Sequence, residues 1–460
     1  MTSPAKSAVD NPVDRWGTIL GWALYPMIAL LVLVDLRIGL GGKPEPISAR
    51  FVGFAILAGL SLPFWWQRRD EVSRTGRLLL GLFGSILSYA LVSSMVTTQP
   101  LMQKVLVARH YLVLPVVEAC LTLLAAWGLV LAVPASRRRD WLWWGGAVLL
   151  VASLLEWPRM AAAQNSARLA TGMGGAATVH VALLTTTALF VGAALQGHRR
   201  HTSWALAGLG LVEVLATGSR SGLLCLMVAA ALLVVWALGR GMGRTIWWVV
   251  GVGVALVGVL MAVFPPLRRI LSLGDDMRQQ NVRTAWDVFT ISWHNQLFGA
   301  GTGRVWPWLA FETGRLKILW RGQVTGEFGK QLTNPHSTFL AVAVELGLLC
   351  LLVLLAFCAV LVCRMVREWR DGQDTWAFVV AVGLVASLVA NLFDYYLLKN
   401  FGVSVWWWLV LATFLGTSQS GRSRPALHGG ATSAPHAPGA HASWRRSPRR
   451  VARPESATAR

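Results

Sequence analysis

About a dozen long apolar stretches fill the chain, and one gap between them breaks the pattern. Residues 265–338, a stretch of 74, are polar. The stretch opens with Pro265-Pro266 and closes with Asn334-Pro335-His336-Ser337-Thr338. An apolar run of about 20 residues spans a bilayer. Backbone groups in lipid must be satisfied within the protein, and runs of this length do so as helices rather than as a barrel. The expected fold is therefore an all-α polytopic membrane protein of about twelve transmembrane helices, with one large loop between helices 9 and 10. A composition that is 55% hydrophobic, with mean hydropathy +0.54, agrees.

The expected spans are roughly 17–40, 51–66, 78–98, 111–134, 141–157, 179–197, 203–218, 223–239, 245–264, 339–362, 376–398 and 401–418. They divide the chain into helices 1–9 (1–264), the loop with an amphipathic helix (265–338), helices 10–12 (339–418) and a basic tail (419–460). The first stretch is long for a signal segment and lacks a small-residue cleavage site, so it reads as a retained helix. The even-numbered gaps and the N-terminus hold 16 basic residues, Arg68, Arg137 to Arg139 and Arg364 among them. The short odd-numbered gaps hold eight: Lys43, Arg50, Lys104, Arg109, Arg159, Arg168, Arg220 and Lys399. Basic residues favour cytoplasmic loops. Both termini are thus expected inside and the 265–338 loop outside. Trp pairs at 65–66, 143–144 and 247–248 and the triplet 406–408 read as interfacial belts.

The net charge of +21 does not imply a nucleic-acid partner. Cytoplasmic loop ends and eight tail arginines between 422 and 460 account for most of the excess. That tail, rich in Gly, Ser, Pro and Ala, is expected to be disordered and drawn to anionic lipid. The five cysteines (120, 225, 350, 358, 363) lie in or beside apolar spans, with no metal-ligand spacing. No Asp-x-Asp pair occurs, and no metal or cofactor is expected.

Charges near or inside spans are costly and point to function. Arg220 lies in the tight turn Ala216-Thr217-Gly218-Ser219-Arg220-Ser221-Gly222. Arg278 and Arg283 precede a helical pattern in which Trp286, Phe289, Trp293 and Leu297 share one face, suited to the membrane surface or to the bundle. Arg283 with Asp287 also fits a simple i,i+4 pair. The glycine run Phe298-Gly299-Ala300-Gly301-Thr302-Gly303 is a weak phosphate-binding signal, since no strand precedes it. Asn334 suits an N-cap and Pro335 the first helical position, which puts His336 in the first turn of the re-entering helix. There the dipole favours neutral imidazole and attracts anions. Glu345, nine residues on, points to the opposite face, which argues against a His–Glu pair. Asp394 lies on the loop's side of the membrane, placed to orient His336, to neutralise an arginine or to form a structural ion pair. Arg109 and His110 precede span 4 on that side. Glu118 and Glu213, within spans, receive no role.

Together the Ser-Arg-Ser-Gly turn, Arg283 ahead of the glycine run, Asn-Pro-His-Ser-Thr opening a helix with Glu-Leu-Gly, and the single late loop resemble the bacterial O-antigen ligase and polymerase superfamily, over roughly 200–400. The resemblance implies a GT-C-like fold in the bacterial inner (cytoplasmic) membrane with a periplasmic site. It maps essential arginines onto Arg220 and Arg283, the catalytic histidine onto His336 and an important acid onto Asp394. Arg278, Arg109 and Asn334 are expected to bind substrate. The implied donor is a glycan on undecaprenyl pyrophosphate, and the implied acceptor is lipid A-core. The polymerases and protein O-oligosaccharyltransferases of the superfamily use the same donor. Only one large loop and a short tail favour the ligase. A transporter or flippase for the lipid-linked glycan is the reading from another class. The lack of an internal repeat and the clustering of charges on one side speak against it.

Overall fold

The computed structural model describes residues 12–36, 47–97, 109–162, 168–241, 258, 276–306, 323–326, 329–332 and 334–417. The expected span 245–264 (apart from Gly258) and the tail lie outside them. The helices are α1 (Pro12–Trp22), α2 (Leu24–Leu33), α3 (Ala49–Gln67), α4 (Arg74–Val96), α5 (His110–Ala132), α6 (Arg138–Leu154), α7 (Trp157–Ala162), α8 (His180–Leu195), α9 (Arg200–Ala216) and α10 (Arg220–Leu238). Next come α11 (Asp276–Thr290), α12 (Trp293–Phe298), the hairpin β1 (Gln323–Gly326) and β2 (Gly329–Leu332), then α13 (Thr338–Ala341). A π-helical segment, Val342–Leu346, leads into α14 (Gly347–Asp371). The last described elements are α15 (Thr375–Leu388), α16 (Tyr396–Lys399) and α17 (Phe401–Thr417).

Seven described helices are long and apolar enough to cross a membrane, and His180–Leu195 and Phe401–Gly416 are shorter apolar helices. The fold is an all-α polytopic membrane protein, with the antiparallel β1–β2 hairpin as its one described departure. The chain does not cross in one piece at 376–398. The span Thr375–Leu392 ends in a 3-10 turn, and the chain breaks before α16. Side chains satisfy the break: Asn391 Nδ2 donates to Tyr396 Oη at 3.0 Å, and Tyr396 Oη donates to the Ser387 carbonyl at 3.0 Å.

The core sits around α17, which is apolar on every side and buried from Phe401 to Leu415. Here the interfacial reading of Trp406 to Trp408 fails. All three indoles are at most 1% exposed. They lie mid-helix, Trp408 edge-on to Phe83 at 4.8 Å and Trp407 donating to Ser387 Oγ at 2.8 Å. Trp66, 78% exposed at the end of α3, does match an interfacial position.

The arginines of the even-numbered gaps bind the helix ends opposite the loop. Arg138, 1% exposed, donates from Nε to the Val130 and Val133 carbonyls and pairs with Glu71. Arg139 pairs with Asp374, the N-cap of α15. The Arg138 cation complements the partial negative charge of the α5 C-terminus. Towards the other end, Arg50 Nε and Glu118 Oε1 form a buried ion pair at 2.6 Å. That pairing gives Glu118 a charged partner that hydropathy alone did not reveal. Removing one partner strands the other charge at a cost of about 3–5 kcal/mol. Arg50→Ala is therefore expected to unfold well below the parent temperature in detergent. An unchanged melting temperature would show that the pair contributes nothing.

Candidate functional site

The turn after α9 is shaped by Gly218, whose φ of 55° falls in the left-handed region that a side chain disfavours. Ser219 then caps α10, its Oγ accepting from Gly222 N at 3.2 Å. Arg220 is the first residue of α10 and is exposed. Arg168 Nε holds the turn from behind, donating to the Thr217 carbonyl at 2.8 Å. Ser221 Oγ lies 2.9 Å from Ser219 Oγ and donates to Asp394 Oδ2 at 2.9 Å.

Asp394 lies in the break beyond the span Thr375–Leu392 and is 3% exposed. Burial pushes its carboxyl up to about 7, against the Ser221 hydroxyl and the positive charges of Arg278 and Arg168. Its backbone carbonyl accepts from both Thr338 N and Thr338 Oγ1 at 3.1 Å. The carboxylate is thus turned to the Arg220 turn and the backbone to the start of α13.

His336 does not sit in the first helical turn. The cap is Ser337, whose Oγ accepts from Leu340 N at 3.2 Å. Asn334 instead closes an Asx turn, its Oδ1 accepting from His336 N at 3.1 Å. His336 takes φ of 52°, which costs an L-residue of order 1 kcal/mol and tends to occur at functional sites. The Ser337 hydroxyl, adjacent to the helix, takes the cap expected of Asn334. The half-buried imidazole therefore precedes the helix instead of lying over its first amides.

Asn281 joins α11 to this turn. Its Nδ2 donates to the Pro335 carbonyl at 3.1 Å, and its Oδ1 accepts from Trp306 Nε1 at 3.0 Å. Asn281, Thr284, Ala285 and Val288 form the bundle-facing side of α11, while Trp286 (64% exposed) and, on α12, Trp293 (69% exposed) face away. The expected aromatic stripe is split: Trp286 and Trp293 face outward, whereas Phe289 packs against the core and Leu297 is half-buried. Arg283 is exposed, and no Arg283–Asp287 ion pair forms among the described residues. Arg278 is half-buried and acts on Asp394. Arg109 opens α5 in an exposed position, next to Tyr111, which borders a separate cleft with Trp306, Glu345 and Lys399.

The glycine run serves packing. Ala300 N donates to the Val344 carbonyl at 2.8 Å, Gly301 N to the Glu345 carbonyl at 3.1 Å and Thr302 N to Ser93 Oγ at 3.1 Å. The Ala300 and Gly301 amides occupy carbonyls of the π turn, and the Thr302 amide ties the run to α4. A Cβ on Gly299 would lie 2.3 Å from the Glu345 carbonyl, and one on Gly347 2.3 Å from that of Leu297. Glu345 is turned to the same loop, its Oε1 accepting from Trp306 N at 3.0 Å.

Sequence reasoning passed over His180, Arg168 and Asn281. His180 opens α8 fully buried, and neither ring nitrogen has a hydrogen-bond partner among the described residues. A Cβ on Gly222 would come within 3.0 Å of its ring, so it supports the first turn of α10. A histidine opening an apolar stretch on the loop's side was the available signal. Glu213 is likewise buried, with both carboxyl oxygens unpartnered among the described residues. Among those residues, no group of three His, Cys, Asp or Glu is arranged to hold a metal.

Residues 205–355 match the family model described as O-antigen ligase. The match contains Arg220, Arg278, Arg283 and His336 and ends before Asp394. No curated protein matches the chain.

Proposed function

We propose, from the premise that the chain belongs to the O-antigen ligase family through residues 205–355, that it transfers O-antigen glycan from undecaprenyl pyrophosphate to a sugar hydroxyl of lipid A-core. Family membership makes it a membrane-embedded, glycan-processing enzyme of the ligase and polymerase type, with lipid-linked glycan substrates. The donor, the acceptor and the residue roles are our reading. One observation carries it. Hydrogen bonds from Ser221 and Thr338 to Asp394 and from Asn281 to Pro335, joined by the segment 335–338, tie the Arg220 turn, Asp394, the His336 turn and the Arg278 helix together at one end of the bundle.

In this reading the acceptor oxygen bonds to the anomeric carbon as the bond from that carbon to the pyrophosphate oxygen breaks. Negative charge grows on the leaving pyrophosphate. Arg220, Arg278 and Arg283 supply planar cations suited to its oxygens. Fixed charges of this kind stabilise the transition state without reorganisation. His336 takes the proton of the acceptor hydroxyl. Residues 265–338 are the periplasmic loop of a protein of the bacterial inner membrane, as the basic asymmetry supports.

The test is transfer by the purified protein in nanodiscs, with undecaprenyl-pyrophosphate glycan and lipid A-core, with and without excess chelator. The expected result is glycosylated lipid A-core at a rate that chelator leaves unchanged. Elongation of the donor in place of acceptor modification would make it a polymerase. Donor movement across the bilayer without any new glycosidic bond would make it a transporter.

A further inference from the structure

A groove of about 460 Å³ lies on the flank of α4, away from the Arg220 and Asp394 cluster. One wall is Tyr89, Val92 and Val96, with Val92 58% and Val96 68% exposed at the end of an apolar membrane-length helix. The other wall is His294, Phe298 and Arg304. Arg304 Nη1 donates to the Ala300 carbonyl at 3.4 Å, which holds the side chain along the groove, and His294 stacks 5.3 Å from Phe298. No acidic side chain lines it among the described residues. The space is therefore apolar on its bilayer side and cationic on its loop side.

We propose that this groove docks the acceptor as a phosphorylated glycolipid, with acyl chain along Val92 and Val96 and a headgroup phosphate against Arg304 and His294. The proposal rests on the transferase reading above and adds a second site to it. Charge complementarity selects a phosphorylated lipid over a neutral one. Position selects acceptor over donor. The donor pyrophosphate is assigned to the arginines around Asp394, and no residue of that cluster lines the groove. The groove's own loop is laced through Ala300 and Gly301 to the π turn at Val344 and Glu345. That turn continues the helix that begins just after His336. A headgroup held at Arg304 is thus tied, through Ala300, Gly301 and the π turn, to the helix that follows the proton-accepting histidine.

The experiment uses the full chain in nanodiscs, with Val92→Trp to fill the groove and Arg304→Ala to remove the charge. Binding of fluorescent lipid A-core is measured without donor, and KM for each substrate is measured in transfer. Both variants are expected to bind the acceptor about tenfold or more weakly, since a charge-assisted contact to phosphate is lost or blocked. KM for donor is expected to stay within about threefold, and Arg220→Ala is expected to keep acceptor binding. Acceptor stripped of its phosphates is expected to bind the parent as weakly as intact acceptor binds Arg304→Ala. Unchanged acceptor affinity in both variants would overturn the proposal, as would a rise in donor KM alone. Equal competition by phosphatidylglycerol would make the groove a general lipid site and overturn it too. Should the protein prove not to be a transferase, the donor-free binding measurement still tests the groove.

Discussion

His336→Ala is expected to lower turnover by roughly 10²–10⁴-fold, the usual cost of losing a positioned general base, while donor binding stays nearly intact. His336 is held in a left-handed conformation by Asn334 on one side and by the Ser337 cap on the other. Its backbone is anchored to the bundle through Asn281 and the Pro335 carbonyl. Such anchoring fixes where the imidazole projects, and an alanine there removes the ring without removing the anchors. Arg220→Ala acts on the other substrate and is expected to weaken donor binding. Direct binding of undecaprenyl-pyrophosphate glycan to both variants separates the roles. If His336→Ala abolishes donor binding and Arg220→Ala spares it, the two residues have been assigned the wrong way round.

How far the site was legible follows from what kind of signal each residue left. Apolar length is a property of consecutive residues, so eleven of the twelve expected spans coincide with described helices, in one or more pieces, and the other falls outside the described residues. The turn at Arg220 was legible because glycines at 218 and 222 flank it, and Gly218 does take the positive φ. The partnership of Ser221 with Asp394 was not, because it joins residues 173 apart in sequence. The Trp triplet misled because tryptophan at a bundle centre and tryptophan at an interface have the same local sequence. Only the packing of Phe83, Phe357 and Ser387 around it decides. The glycine run misled for a related reason. Glycine serves close backbone approach whether the partner is a phosphate or another helix, and here the partner is the Glu345–Gly347 turn. Asn281 was invisible because its value lies in bridging Pro335 and Trp306, neither of which is near it in sequence.

Asp394→Asn is expected to stabilise the protein at alkaline pH while impairing transfer. The amide keeps an acceptor oxygen for Ser221 but carries no charge to bury. In the unfolded chain the carboxyl ionises from its ordinary value of 3.8, whereas the folded protein holds its proton until about 7. Between those values the folded state binds the extra proton. Stability conferred by the aspartate therefore falls as pH rises from about 4 to 7 and stays low above that. The full difference corresponds to about 4 kcal/mol. The gain in Asp394→Asn should grow over the same window, be absent below pH 4 and level off above 7. Melting curves of parent and variant in detergent from pH 4 to 9 read this directly. Above pH 7, where the folded aspartate is ionised, transfer should move the other way, because Arg168 and Arg278 lose the anion that balances them. A variant equally stable at all pH values would show that the carboxyl is not held neutral by burial. A variant with full transfer activity would show that the buried charge does not serve the reaction.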